Sequence, residues 1–109
     1  MSLYAEYLKE RTDDRIIEND KGFITYRRLN DDQMYIMDIY INPECRKKGM
    51  ASHLADRVCD YAKSMGCKEV IGTVNPSAKG ATESLAALIA YGMKVLSSQE
   101  NCIVFKKDI

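Results

Sequence analysis

The residues best suited to chemistry stand together in one stretch, Ile39 to Leu54, which reads I-Y-I-N-P-E-C-R-K-K-G-M-A-S-H-L. An apolar run enters a turn containing a proline, and a helical pattern follows. A helix that begins directly after a tight glycine-containing loop aims several unpaired backbone N–H groups and the positive end of its dipole at one spot. Such a spot binds anions. Arg46, Lys47 and Lys48 add side-chain charge, Gly49 lets the backbone approach a phosphate with no Cβ in the way, and Ala51 keeps the next turn small. The stretch therefore suits a pyrophosphate. Neither G-x-G-x-x-G nor G-x-x-x-x-G-K-S/T occurs in the chain, so the commoner nucleotide loops are absent, although a nucleotide-binding α/β module using this same anion site stays open.

Other reactive groups are scattered. Asp38 lies in the apolar run Met34 to Ile41, where poor solvation would raise its pKa and suit it to act as a general base or to hold a water. The competing reading pairs it with a loop amide or with Arg27 or Arg28. Cys45, just before Arg46, is in a positive loop that lowers a thiol pKa, yet a loop cysteine of this kind is more often incidental. His53, the only histidine, falls off the apolar stripe of its helix and reads as a surface residue. Cysteines 45, 59, 67 and 102 form no C-x-x-C pair and no ligand set with His53, so no metal site is expected and the thiols should be reduced.

The elements that must position this stretch follow from the patterning. With 109 residues and 46% hydrophobic content, the chain has material for one domain over residues 1–109. Sixteen Lys plus Arg balance sixteen Asp plus Glu, which argues against a nucleic-acid partner. Charges at Glu6, Lys9, Glu10 and Arg11 argue against a signal peptide, no apolar run approaches the roughly 20 residues of a membrane helix, and a cytoplasmic setting is expected.

Ser2 can cap a helix over 3–11, with Leu3–Tyr7 and Tyr4–Leu8 as apolar pairs. Residues 15–19 and 23–29 read as a β-hairpin. Residues 34–41 are apolar at nearly every position and predict a central strand covered on both faces. Met50, Leu54, Val58, Tyr61 and Met65 predict a helix stripe, ended by Gly66. A strand over 69–74, a helix over 82–91 with Gly92 after it, and strands over 93–96 and 102–106 complete the order αβββαβαββ. This is an α/β (α+β) arrangement, a mixed sheet with helices packed on it.

The junction resembles motif A of the GNAT superfamily of acetyl-CoA-dependent N-acetyltransferases, Q/R-x-x-G-x-G/A between a central strand and a helix. Arg46, Gly49 and Ala51 match it, Asp38 to Cys45 is similar to the strand and proline turn that precede the motif in diamine-type acetyltransferases, and the downstream elements follow the family's order. The resemblance implies the GNAT fold, with a mostly antiparallel sheet, and acetyl-CoA as co-substrate. It implies that backbone groups of Tyr40 and Ile41 bind the pantetheine arm and that amides of Arg46, Lys47, Lys48, Gly49, Met50, Ala51 and Ser52 hold the pyrophosphate, with the Lys47 and Lys48 side chains on further phosphates. The amine would attack directly in a ternary complex, its oxyanion facing the Ile41 N–H.

Two departures stand out against the family. Where several relatives carry a catalytic Glu this chain has Met37, and four residues before the helix-ending Gly92, where a Tyr is common, it has Leu88. Asp38 is the nearest carboxylate and Ser84, one turn before Leu88, the nearest hydroxyl; Tyr91 points elsewhere around the helix. Thr73 and Asn75, ending the strand that would part from the central one, could orient water or substrate. One helix precedes the hairpin where the family usually has a strand and two helices. That implies an open cleft for a protein lysine or N-terminus, or a small-molecule amine pocket completed in a homodimer. A catalytically degenerate acyl-CoA-binding sensor or interaction domain is the alternative.

Overall fold

The computed structural model describes residues 2–109. Helix α1 spans Leu3–Arg11, and strands β1 (Arg15–Glu18), β2 (Gly22–Arg28) and β3 (Gln33–Ile41) follow. A single 3-10 turn, Pro43–Cys45, leads into α2 (Met50–Ser64), then β4 (Glu69–Val74), α3 (Ala81–Ala90), β5 (Lys94–Gln99) and β6 (Cys102–Asp108). The six strands form one sheet in the order β1-β2-β3-β4-β6-β5. Every neighbouring pair is antiparallel except β3 with β4, which is parallel. The αβββαβαββ order is the one that sequence patterning implies.

Local signals explain the elements. The Ser2 hydroxyl accepts the Ala5 N–H at 3.0 Å, capping α1 as expected. At the end of α2, Gly66 adopts φ +85° and the Cys67 N–H reaches back to Ala62 O at 2.9 Å, a left-handed stop that only glycine takes without strain. The core beneath α2 is made by Leu54, Ala55, Val58, Cys59 and Ala62 against Ile24, Met34, Ile36 and Val70. Burying Leu54 and Val58 fully contributes about 1.5–3 kcal/mol each.

Four expectations are corrected. The buried stripe of α2 is rotated toward its alanines, leaving Tyr61 and Met65 exposed at its edge, because the small residues permit the closest approach to the sheet. On α1 the inward pair is Ala5 and Leu8, while Leu3, Tyr4 and Tyr7 face solvent. The closing hairpin turns at Glu100 and Asn101, not over residues 97–101. β3 also departs from its reading: Met34 and Ile36 are buried, but Asp38, Ile39 and Tyr40 are exposed.

Candidate functional site

The exposure at the end of β3 has a topological cause. β3 and β4 pair only from Gln33 with Glu69 to Ile36 with Gly72. Beyond that point β3 follows β2 as far as Ile41, while β4 follows β6 as far as Val74. The register between β2 and β3 shifts at Thr25 and Tyr26, which pair with Asp38 and Ile36, so Met37 is the extra residue of a bulge. A bulge bends its strand and adds twist. The two parallel strands therefore part, and a wedge opens between them.

Backbone alternation decides which groups face the wedge. The Tyr40 carbonyl lies against the place where a Cβ of Gly22 would stand, so it points toward β2, and this close approach requires glycine at position 22. Asn42 likewise donates its N–H to Lys21 O at 2.7 Å. Ile41 O points the other way, taking the Arg46 Nε–H at 2.9 Å. Because successive residues turn their N–H and C=O groups to opposite sides, Ile39 and Ile41 present theirs to the wedge. Of the backbone pair implied by the family resemblance, Ile41 is available and Tyr40 is not. Ile39 takes its place. Counting by twos from Ile41 along the strand would have found it.

The anion loop follows immediately. Lys47 has φ +64° and Gly49 φ +79°, two left-handed residues that reverse the chain into α2, and a Cβ on Gly49 would meet nothing within 4 Å. Gly49 caps the helix without any side-chain hydrogen bond. The first helical amide with an acceptor is that of His53, on Gly49 O at 3.0 Å. Among the described residues, none of the six N–H groups from Lys47 to Ser52 has an intramolecular acceptor. Exposed Lys47 and Lys48 side chains flank them. The Arg46 guanidinium lies over the Tyr40 ring at 5.4 Å, which fixes the loop to the strand. Cys45 is half-buried against the core beneath α2, and His53 is exposed.

The remaining candidates are more dispersed. Asp38 is exposed, so the desolvation expected of it is absent; its N–H donates to Thr25 Oγ1 at 3.1 Å. Neither suggested arginine partners it: Arg27 pairs with Asp14 at 2.6 Å and Arg28 binds carbonyls at the end of α2 and in the β2–β3 turn. The Thr73 hydroxyl is 2.9 Å from the Tyr35 hydroxyl, a pair spanning the root of the wedge that includes a tyrosine missed by sequence reasoning. Asn75 spends its side-chain carbonyl on the Ser77 N–H at 2.9 Å, shaping its own loop. Leu88 packs over Gly72, and Ser84 is exposed one turn earlier on α3.

Tyr91 is committed elsewhere. Its hydroxyl donates to Asp56 at 2.6 Å and lies 3.5 Å from Cys59 Sγ, tying α3 to α2. Burial, then these two partners, raise its pKa; burial likewise raises that of the Cys59 thiol. Among the described residues no cluster of three or more potential metal ligands occurs, and no helix is long and apolar enough to cross a membrane.

Residues 6–88 match the profile of the acetyltransferase (GNAT) family. No curated protein matches the chain. Among solved structures, it superposes on PaiA N-acetyltransferase from Thermoplasma acidophilum in complex with coenzyme A with TM-score 0.78, at 16% identity over 95% of this chain and 66% of that one. A GNAT family acetyltransferase from Elizabethkingia anophelis with acetyl-CoA bound gives TM-score 0.72, at 14% identity over 98% of this chain and 82% of that one. Ard1 from Thermoplasma volcanium gives TM-score 0.68, at 16% identity over 82% of this chain and 63% of that one. The chain thus spans slightly less than two thirds of the Ard1 and PaiA structures, whose fold it shares.

Proposed function

The chain belongs to the acetyltransferase (GNAT) family, and from that premise we propose that its residues 1–109 act as a single cytoplasmic N-acetyltransferase domain, carrying the acetyl group of acetyl-CoA to a primary amine. The observation that carries this reading is the wedge between β3 and β4, which leads straight into six unpartnered amides from Lys47 to Ser52. An extended arm fits beside the free edge of β3, and a pyrophosphate fits the amide cluster with Lys47 and Lys48 beside it. The open space around Gly49 leaves room for the phosphates. Coenzyme A in the structures of similar fold supports the same choice of co-substrate.

In this reading the amine nitrogen bonds to the thioester carbonyl carbon, the C–S bond breaks, and the proton lost by the amine is balanced by one gained at the thiolate. The carbonyl oxygen gains charge on the way and needs a donor; the Ile39 and Ile41 N–H groups facing the wedge are the donors we assign. Asp38, on the rim, takes the ammonium proton directly or through water. Thr73, held by Tyr35, and Asn75 border the acceptor, and Ser84 is the hydroxyl we assign to the thiol end. Positioning supplies much of the barrier reduction, so transfer tolerates modest acid and base groups.

Acetyl-CoA should raise the melting temperature, and Gly49→Glu should abolish the rise by filling the anion site with a carboxylate. No shift at millimolar acetyl-CoA would overturn the reading. A second reading, acyl-CoA binding without transfer, draws support from Met37 and Leu88 and from the commitment of Tyr91 to Asp56. Thiol release across amines, amino acids and lysine peptides separates the two.

A further inference from the structure

On one side of the sheet α2 and α3 are joined by the Tyr91 hydroxyl on Asp56, with Leu88 over Gly72. The opposite side carries exposed Asp38 and Tyr40, and an acceptor can approach the wedge across it. Beside Tyr40 on that side stands a group of residues with no role in the chemistry above. Register sets Glu18 opposite Phe23 and Phe23 opposite Tyr40. Directly paired residues share a face, so the three side chains make a row across β1, β2 and β3. The Phe23 and Tyr40 rings stack at 5.9 Å.

The outer end of the row meets α1. Tyr4 of α1 joins Ile16, Glu18 and Phe23 around a shallow pocket. Glu18 is held there: the Ala5 N–H donates to Ser2 Oγ at 3.0 Å, and the Ser2 hydroxyl donates to Glu18 Oε2 at 2.7 Å. That leaves most of its acceptor capacity unused. No cation among the described residues pairs with it. A positioned carboxylate beside aromatic rings takes a positive group. Arg46 already covers Tyr40, which leaves the Glu18 end for an incoming cation.

We propose that this row recognises the far end of the acceptor, and that the acceptor is an elongated aliphatic dication. Its distal ammonium rests on Glu18, its methylene chain crosses Phe23, and its reacting amine arrives at Asp38. Two strand spacings across and two residues along put Glu18 and Asp38 about 12 Å apart at their Cα atoms. The inference rests on the acetyl-transfer reading of the wedge.

The amines 1,8-diaminooctane and octylamine differ only in the second charge. In a thiol-release assay with acetyl-CoA, kcat/KM for the diamine, corrected for its two equivalent ends, should exceed that for octylamine roughly fivefold. Glu18→Gln, which keeps an acceptor for Ser2, should bring the ratio near one, and Glu18→Asp should retain the preference. A ratio near one in the unaltered protein, or a preference that survives Glu18→Gln, overturns the proposal. So does a protein that acetyl-CoA stabilises but that turns over neither amine. A melting temperature that acetyl-CoA leaves unmoved overturns the acetyl-transfer reading beneath it.

Discussion

Helices α2 and α3 begin with the same backbone device and differ in everything around it. Gly49 has φ 79° and ψ 8°, and Gly80 has φ 81° and ψ 8°; neither helix has a side-chain cap. Before α3, however, the loop folds back so that the Ala81 N–H donates to Ala78 O at 3.1 Å, and Glu83 stands in the first turn. Before α2 no such return occurs, no acidic residue enters the first turn, and Arg46, Lys47 and Lys48 precede it. A left-handed glycine thus makes a helix start; an anion site also needs unspent amides and the right charge. It needs a place as well, and α2 starts where β3 has just parted from β4.

The largest effect should come from placing one carboxylate at each start. Gly49→Glu should weaken acetyl-CoA about hundredfold or more, through lost charge-assisted bonds and added repulsion, whereas Gly80→Glu should leave affinity within about threefold, both read by calorimetry. Both substitutions put a side chain at positive φ and should cost a similar 1–2 kcal/mol or about that in stability, so unfolding cannot explain the difference.

The next effect concerns the strand. Ile39→Pro removes an N–H that faces the wedge and should lower kcat about hundredfold with a small change in melting temperature. Tyr40→Pro, one residue on, takes its change on the side facing β2 and should chiefly destabilise the fold. Equal behaviour of the two would contradict the alternation. Arg46→Ala, which frees Ile41 O and uncovers Tyr40, should weaken acetyl-CoA roughly tenfold.

The smallest effect separates α3 from catalysis. Tyr91→Phe should cost about 1 kcal/mol in denaturant unfolding while kcat changes little, because its hydroxyl serves Asp56. The sign of its pH dependence is fixed by the raised pKa. The stability is fully present below the unfolded value of 10.0 and is lost as the pH climbs above it. Wild-type protein should therefore weaken faster than Tyr91→Phe in alkaline unfolding.

The features that sequence carried well are those with local causes. Ser2 before Leu3, Gly66 after α2 and Gly49 before it are short-range signals: Ser2 caps α1, Gly66 stops α2 and Gly49 starts it. What escaped is non-local. The run Met34 to Ile41 is apolar at nearly every position, which reads as coverage on both faces, yet its last third borders a wedge created by a bulge at Met37 and by β4 turning to β6. No composition of β3 alone encodes that departure, and it is what exposes Asp38. The direction of the Tyr40 carbonyl escapes for a related reason, since it depends on the register with Gly22 on the neighbouring strand, outside the motif. The Ser77 N–H engages the side-chain carbonyl of Asn75 and Asp56 engages the Tyr91 hydroxyl, partners that no sequence pattern reveals.

The amides of Lys47 to Ser52 are the proposed binding site for the phosphates of acetyl-CoA. Titrating 15N-labelled protein with acetyl-CoA and following backbone amides by NMR tests it residue by residue. The largest shifts should fall at Lys47 to Ser52, with further shifts at Ile39 and Ile41 and little movement at Ala81 to Ser84. Saturable binding that moves the amides at the start of α3 and leaves those at the start of α2 in place would contradict it.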